Sequence, residues 1–217
     1  MIKIEKTEVF GWESAIRGMR NPMNSWDKSD SDFTYYGKLV NIGENDLKLM
    51  KSLSKAGTDH RKFMRMISVT TDITAPLYWW KEYDTYKVGT VANSCSTMHK
   101  IHAKEFTLDD FSHEHLYKVT DFYGIPWNNL ESLERTITYL NAARIYYLQS
   151  KDKDVWWQMI QLLPTSYNQK RTVMLNYEVL ANMYHSRKNH KLDEWHVFCD
   201  WVKTLPYADV MILVKEG

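Results

Sequence analysis

The sequence has few cysteines, no long apolar run and no excess of charge of one sign. Cys95 and Cys199 are its two cysteines in 217 residues; they form no C-x-x-C pair and no zinc-ligand spacing, as is typical of a reducing compartment. No window approaches the roughly 18 apolar residues of a transmembrane helix. Residues 1–18 are charged and lack the apolar core of a signal peptide. These absences predict a cytoplasmic protein with no membrane contact.

The charges are balanced, with 28 Lys and Arg against 27 Asp and Glu and a net charge of +1. A protein that binds nucleic acid through its phosphates usually carries a basic patch, so we expect no nucleic-acid partner. Four histidines lie close together in the sequence without a carboxylate or cysteine at a known metal-ligand spacing. They are His99, His102, His113 and His115. We therefore expect no metal site.

Aromatic residues are abundant, at 14% of the chain with nine Trp and fourteen Tyr. Such side chains fill cores and subunit interfaces, and they also provide ring surfaces for flat ligands.

Apolar periodicity predicts a mixed α+β protein in which helices dominate. Strands are expected at 1–10 and 63–74, and a loop at 18–36. Helices are expected at 47–57, from Pro76 to the break at Gly89-Thr90, and at 109–124, 129–152, 154–163, 169–187 and 192–205. No repeat or low-complexity tract is present, and we expect one domain over residues 1–217.

The predicted helix that begins at Gln169 carries polar side chains among apolar ones. Asn176 and Arg187 are 11 residues apart, which places them about 20° apart on a helical wheel, and His190 is about 40° off. An exposed stripe beside a core face would explain this pattern. A ligand face would explain it too, because the arginine fork binds a phosphate or a pyrimidine carbonyl through two parallel hydrogen bonds.

A second polar segment follows the break at Gly89. Small hydroxyl and amide side chains of this kind suit phosphate capture, although such clusters also form ordinary turns. The candidates are Thr90, Asn93, Ser94, Ser96 and Thr97. Cys95 lies among them, as either a nucleophile without an assigned base or a small buried thiol.

These two segments resemble the flavin-dependent thymidylate synthases over roughly residues 50–100 and 160–205. The family signature is Arg-His-Arg, two residues, Ser, and a later Ser-x-Arg; here it falls on residues 85–90 and ends at residues 95–97. Lys87 keeps the charge of the second Arg and Thr90 keeps the hydroxyl. Tyr86 replaces the His, and Thr85 and Thr97 replace the outer arginines.

The C-terminal block follows the family's order closely. Its matching residues are Leu163, Pro164, Tyr167, Asn176, Leu180, Asn182, Arg187, His190 and Trp195. By resemblance, Arg187 is the catalytic residue that contacts the uracil ring. The same resemblance assigns flavin binding to Tyr86, Lys87, Asn176, Asn182 and His190, and nucleotide binding to Thr90, Asn93, Ser94, Ser96, Thr97 and Arg187.

The resemblance implies the flavin-dependent thymidylate synthase fold, with helices packed around a small antiparallel sheet, and a homotetramer. It also implies methylation of dUMP to dTMP with FAD, NADPH and methylenetetrahydrofolate. Two alternatives stay open, namely a flavoenzyme of this fold that modifies another pyrimidine nucleotide, and a non-catalytic protein that binds a nucleotide or a partner.

Overall fold

The computed structural model describes residues 2–214, which form helices and short strands. The helices are α1 Trp12–Arg20, α2 Glu44–Lys55, α3 Leu77–Tyr83, α4 Asn129–Ser150, α5 Lys153–Leu162, α6 Tyr177–Arg187, α7 Asp193–Lys203 and α8 Ala208–Met211. The strands are β1 Lys3–Phe10, β2 Asp32–Phe33, β3 Leu39–Asn41, β4 Ser68–Pro76, β5 Val91–Ser94, β6 Thr120–Phe122, β7 Ile125–Trp127 and β8 Asn168–Asn176. Short 3-10 helices lie at Asn21–Met23, Trp26–Lys28, Lys62–Met66 and Leu108–Asp110.

Four strands form the main sheet in the order β1-β4-β8-β5. The amide of Tyr177 donates to the carbonyl of Ile67 and that of Leu77 to the carbonyl of Tyr167, so β4 and β8 run antiparallel. Two antiparallel pairs, β2 with β3 and β6 with β7, stand apart from this sheet. The predicted α+β class is confirmed.

The chain folds into two compact units. Among the described residues, the first comprises 2–3, 74–83 and 94–171, and the second comprises 4–73, 84–93 and 172–214. The core of the first unit is an apolar cluster from α4, α5 and the segment before them: Ile101, Phe106, Phe111, Leu133, Ile137, Leu140 and Met159. The expectation of one domain over 1–217 stays a prediction.

In the second unit, alternate residues of β4 point into the core, and Val69, Thr71 and Ile73 are at most 1% exposed. The ring of Trp12 from α1 meets that of Tyr177 edge-on at 5.4 Å between centroids. A buried ion pair joins Arg20 Nε to Asp46 Oδ1 at 2.6 Å and connects α1 to α2.

The sequence-based elements are confirmed where a long helix or an alternating strand dominates. The helix predicted at 129–152 is α4, which ends at residue 150. The strand predicted at 1–10 is β1, which begins at residue 3, and residue 1 lies outside the described residues. The helix predicted at 109–124 is wrong, because this stretch contains a 3-10 turn and the hairpin strand β6. The loop predicted at 18–36 overlaps the end of α1.

The helix predicted over Gln169–Arg187 is wrong in its first half, which is strand β8. Gln169, Val173 and Leu175 are buried at even spacing, which is the two-residue period of a strand. Asn176 therefore caps α6, while Arg187 ends it. An 11-residue helix is about 16 Å long, so the two residues lie at opposite ends of α6.

No helix in the described part of the chain is both long enough and apolar enough to cross a bilayer.

Candidate functional site

A cation held between two aromatic rings is the central feature of the second unit. The Nε–H of Arg187 donates to the hydroxyl of Tyr86 at 2.8 Å. Its guanidinium carbon lies 5.4 Å from the ring centroid of Tyr86 and 4.8 Å from that of Trp195. These are cation–π distances, and Trp195 is fully buried. The guanidinium is therefore held in place by two rings and a hydrogen bond.

Tyr86 is presented by the turn between α3 and β5. The hydroxyl of Thr90 donates to the carbonyl of Tyr86 at 2.6 Å and closes the turn. Gly89 has φ +78°, which glycine tolerates far better than other residues. A Cβ on Gly89 would lie 2.9 Å from Asn176 Nδ2 and 3.0 Å from Val179 Cγ2. The glycine thus permits the turn to pack against the start of α6.

The two predicted flavin-binding asparagines have structural partners on their carbonyl oxygens. Asn176 Oδ1 accepts the backbone N–H of Val179 at 2.9 Å, which makes Asn176 the N-cap of α6. Asn182 Oδ1 accepts from Arg61 Nη2 at 3.2 Å, and Arg61 also forms a buried ion pair with Glu178 at 2.8 Å. Each amide nitrogen carries two further donors, which suit the carbonyl oxygens of a flat heterocycle.

His190 lies beyond the end of α6 and faces the aromatic cluster. Its Nδ1 accepts the backbone N–H of Leu192 at 3.2 Å, and its ring centroid is 6.3 Å from that of Trp195. An acceptor Nδ1 leaves the proton of the neutral ring on Nε2. Lys87 is exposed. The structure thus brings Tyr86, Arg187 and His190 together around Trp195.

The first unit contains a polar cavity of about 290 Å³. Its lining residues are Thr74, Cys95, Ser96, Thr97, Lys104, Asp109, Asp110, Tyr167, Asn168, Gln169 and Lys170. The amide of Cys95 donates to the carbonyl of Lys170 at 2.9 Å, and Gln169 Nε2 donates to the carbonyl of Cys95 at 2.8 Å. These bonds place the predicted residues Ser96 and Thr97 beside β8.

Hydroxyl and ammonium groups share this cavity. Ser96 and Thr97 contribute hydroxyls, and Lys104, paired with Asp110, and Lys170 contribute cations. Burial, together with the charges of Asp110 and Cys95, raises the pKa of Tyr167, so its phenol stays protonated and can donate a hydrogen bond. Because the carboxylates of Asp109 and Asp110 lie in the same wall and balance the two lysines, the groups that suit a phosphate are the hydroxyls, the protonated phenol and Lys170.

Two lysines of this cavity, Lys104 and Lys170, are missing from the residues predicted by sequence. Lys170 lies in the half of the predicted helix that is a strand, where alternation turns it and Gln169 to opposite faces. Lys104 lies on a loop and carries no local signal. The other predicted nucleotide-binding residues do not line the cavity. Thr90 closes the Tyr86 turn, Asn93 and Ser94 are exposed on β5, and Arg187 lies against Tyr86 and Trp195.

Residues 2–214 contain no group of three or more His, Cys, Asp or Glu side chains arranged to hold a metal ion. Cys95 is exposed and Cys199 is buried, and both are free thiols.

No protein-family model and no curated protein matches this chain. Solved structures match it over almost its whole length. A thymidylate synthase X from Helicobacter pylori, crystallised with FAD and dUMP, is 14% identical with a TM-score of 0.69, and 97% of each chain is covered. The chain has the flavin-dependent thymidylate synthase fold. This finding confirms the predicted fold class.

A second similar protein is a UMP/dUMP methylase, PolB from Streptomyces cacaoi. Its complex with 5-Br UMP is 14% identical to this chain with a TM-score of 0.62, covering 97% of this chain and 91% of PolB. Its complex with 5-Br dUMP is 13% identical with a TM-score of 0.58 and the same coverage.

Proposed function

We propose that this chain is a flavin-dependent enzyme that methylates the uracil ring of dUMP, with FAD, NADPH and methylenetetrahydrofolate. The fold similarity supports this assignment, because similar structures contain FAD and dUMP. The observation that carries it is the Arg187 guanidinium, fixed by Tyr86 and Trp195.

Arg187 would bind the uracil ring and stabilise negative charge on its carbonyl. Arginine presents its N–H donors in a planar fork that matches the carbonyl and imide edge of a uracil ring, and one of them binds Tyr86. Because the group is already held by two rings, little reorganisation is needed when charge develops on the substrate. We assign it the catalytic role.

The residues that would hold FAD are Tyr86, Lys87, Asn176, Asn182 and His190. Their chemistry fits the cofactor, since they offer an aromatic ring, a cation, amide donors and an imidazole N–H for a flat ring system and a pyrophosphate. When bound, FAD would supply the hydride that reduces the transferred one-carbon group.

The nucleotide phosphate would bind in the cavity of the first unit. Ser96 and Thr97 can donate hydroxyl hydrogen bonds, and Lys170 can supply charge beside Lys104, which is paired with Asp110. Thr90, Asn93 and Ser94 are proposed as further nucleotide contacts. Thr97 replaces an arginine of the family signature, so lysines of this cavity would take over its electrostatic role.

The second candidate is methylation of a ribonucleotide such as UMP. The similarity to a methylase crystallised with 5-Br UMP favours it. A third possibility is a non-catalytic protein that binds a nucleotide or a partner.

Turnover assays with FAD, NADPH and methylenetetrahydrofolate separate these alternatives. Conversion of dUMP at least tenfold faster than UMP supports the primary proposal, and the reverse preference supports the second. FAD binding without methylation of either nucleotide contradicts both.

We further propose that the protein is a homotetramer in the cytoplasm and that its sites lie between subunits. Light scattering after gel filtration tests the assembly, which should have four times the mass of the chain. A monomer that carries full activity would contradict shared sites.

A further inference from the structure

A second pocket in the first unit, of about 300 Å³, has basic and aromatic walls. Its lining residues are Met98, His99, His102, Tyr147, Lys151, Lys153 and Trp156. None of them is acidic, and none lines the cavity proposed for the nucleotide phosphate.

The fold holds these groups in place. The ring of His102 packs edge-on against Tyr147 with 4.9 Å between centroids, and Lys151 Nζ lies 5.6 Å from the Tyr147 centroid. Arg144 Nε donates to the carbonyl of His102 at 3.1 Å, and Trp156 Nε1 donates to that of Met98 at 3.1 Å. The basic side chains therefore line a pocket whose walls are fixed by these ring contacts and hydrogen bonds.

The electrostatic environment at His102 is positive. Burial lowers the pKa of His102 below its usual value, and the charges of Lys151, Lys100 and Arg144 lower it further. Within the described residues, His102 Nδ1 is buried without a hydrogen-bond partner. A buried polar atom without a partner is costly in free energy. A bound anion would reduce the repulsion between the protonated His102 ring and the charges of Lys151, Lys100 and Arg144.

The nearest acids in the sequence belong to the start of α5. Asp152 caps this helix by accepting the backbone N–H of Asp154 at 2.8 Å. Neither carboxylate is part of the pocket wall.

We infer that this pocket is an anion-binding site for the phosphate groups of a small polyphosphate or phosphate ester. Lys151 and Lys153 supply fixed charge, and His99 and His102 add charge when protonated. The lining of this pocket shares no residue with the proposed active site, and its function does not depend on the proposed reaction.

Calorimetry with inorganic pyrophosphate and the full chain at low ionic strength tests this inference. Pyrophosphate also suits the cavity proposed for the nucleotide phosphate, so the site assigned to this pocket is the one whose affinity falls in the variant described below. Affinity should fall when ionic strength rises from about 0.01 M to about 0.15 M, because the Debye length shrinks from about 30 Å to about 8 Å. Bound pyrophosphate should also raise the pKa of His102, which NMR of the His102 ring protons can measure. The affinity for pyrophosphate should therefore increase as the pH falls. The titratable and charged groups around the His102 ring are His99, Lys100, Arg144, Tyr147, Lys151 and Lys153.

The decisive variant is Lys151→Asn with Lys153→Gln. Asparagine tolerates the left-handed backbone at Lys151, which has φ +57°, so the turn should be retained. Affinity for pyrophosphate should fall at least tenfold, while Lys118→Gln, an exposed control in the same unit, should stay within twofold. Unchanged affinity in a double variant with a normal unfolding midpoint would overturn the inference. So would the absence of binding to the original chain. FAD and dUMP binding should be unaffected, so failure here leaves the proposed function untouched.

Discussion

At the scale of single residues, the side chains of Arg187 and Tyr86 hold each other in place. By resemblance alone, the sequence assigned Arg187 to the nucleotide and Tyr86 to the flavin. In the structure the phenol oxygen accepts from the guanidinium, and its ring covers one side of it. A tyrosine at the histidine position of the signature therefore keeps an aromatic ring and presents its hydroxyl oxygen as the acceptor for Arg187.

Arg187→Ala should remove detectable dUMP binding by calorimetry while leaving the fold intact, because the uracil would lose its charged hydrogen-bond partner. Tyr86→Phe keeps the ring and deletes the oxygen, so it should weaken dUMP binding by about tenfold, equivalent to about 1.4 kcal/mol, which is near the lower end of the worth of a hydrogen bond to a charged group. Arg65→Gln, an exposed charge in the same unit, is the control. Undiminished dUMP binding by Arg187→Ala would remove this residue from the site.

Asp46 is a second residue whose role the structure defines, here for stability. Its Oδ2 accepts hydrogen bonds from the hydroxyls of Ser29 and Ser31 and from the backbone amides of Asp30 and Ser31. Its Oδ1 pairs with Arg20, and both side chains are at most 4% exposed. Burial alone would raise its pKa, but the bonds from Ser31, Arg20, Ser29 and Asp30 together lower it.

Asp46→Asn should destabilise the protein by about 3–5 kcal/mol, because the buried Arg20 loses its counter-charge. Urea unfolding measures the change, and the exposed Asp27→Asn is the control. Since the folded-state pKa is lowered, the stabilisation is present above the unfolded pKa of about 3.9 and is lost as the pH falls through the folded value. The difference between the original chain and the variant should therefore shrink below about pH 4. A loss under about 1 kcal/mol at pH 7 would refute this role.

At the scale of elements, the junction of β8 and α6 shows what the sequence could and could not predict. Apolar residues at Val173 and Leu175 fit a helix or a strand, and the Asn176–Arg187 spacing favoured the helix. The buried alternation that begins at Gln169 becomes decisive only when neighbouring strands pair with β8. Helix α4 was predictable because its 22 residues carry a long apolar stripe after the N-cap Asn128.

Two substitutions at Asn176 distinguish its role as the N-cap of α6 from its proposed role in flavin binding. Asn176→Ala should cost about 1 kcal/mol in urea unfolding, because the backbone N–H of Val179 loses its acceptor. Asn176→Asp keeps an oxygen at the cap and should stay within about 0.5 kcal/mol of the original, since a negative charge is favourable at a helix N-terminus. It nevertheless lacks the amide donors, so it should retain less FAD. Equal FAD retention in Asn176→Asp would confine this residue to a structural role.

At the scale of the whole molecule, the chain shares its fold with a structure that is only 14% identical in sequence, over 97% of the chain. The sequence identified this fold through ordered polar landmarks such as Asn176, Asn182 and Arg187. It could not identify the lysines at Lys104, Lys151 and Lys170, because their pockets are assembled from segments distant in the chain. Long-range packing, rather than local pattern, determines those sites.

The most direct test of the central claim is the visible absorption spectrum of the purified protein after incubation with FAD and removal of the excess, before and after dUMP is added. The account predicts that the protein retains flavin bands and that dUMP perturbs them, with Arg187→Ala retaining FAD but losing the response to dUMP. A folded, colourless protein that never retains FAD would contradict the account and indicate a binding protein that has this fold without the flavin chemistry.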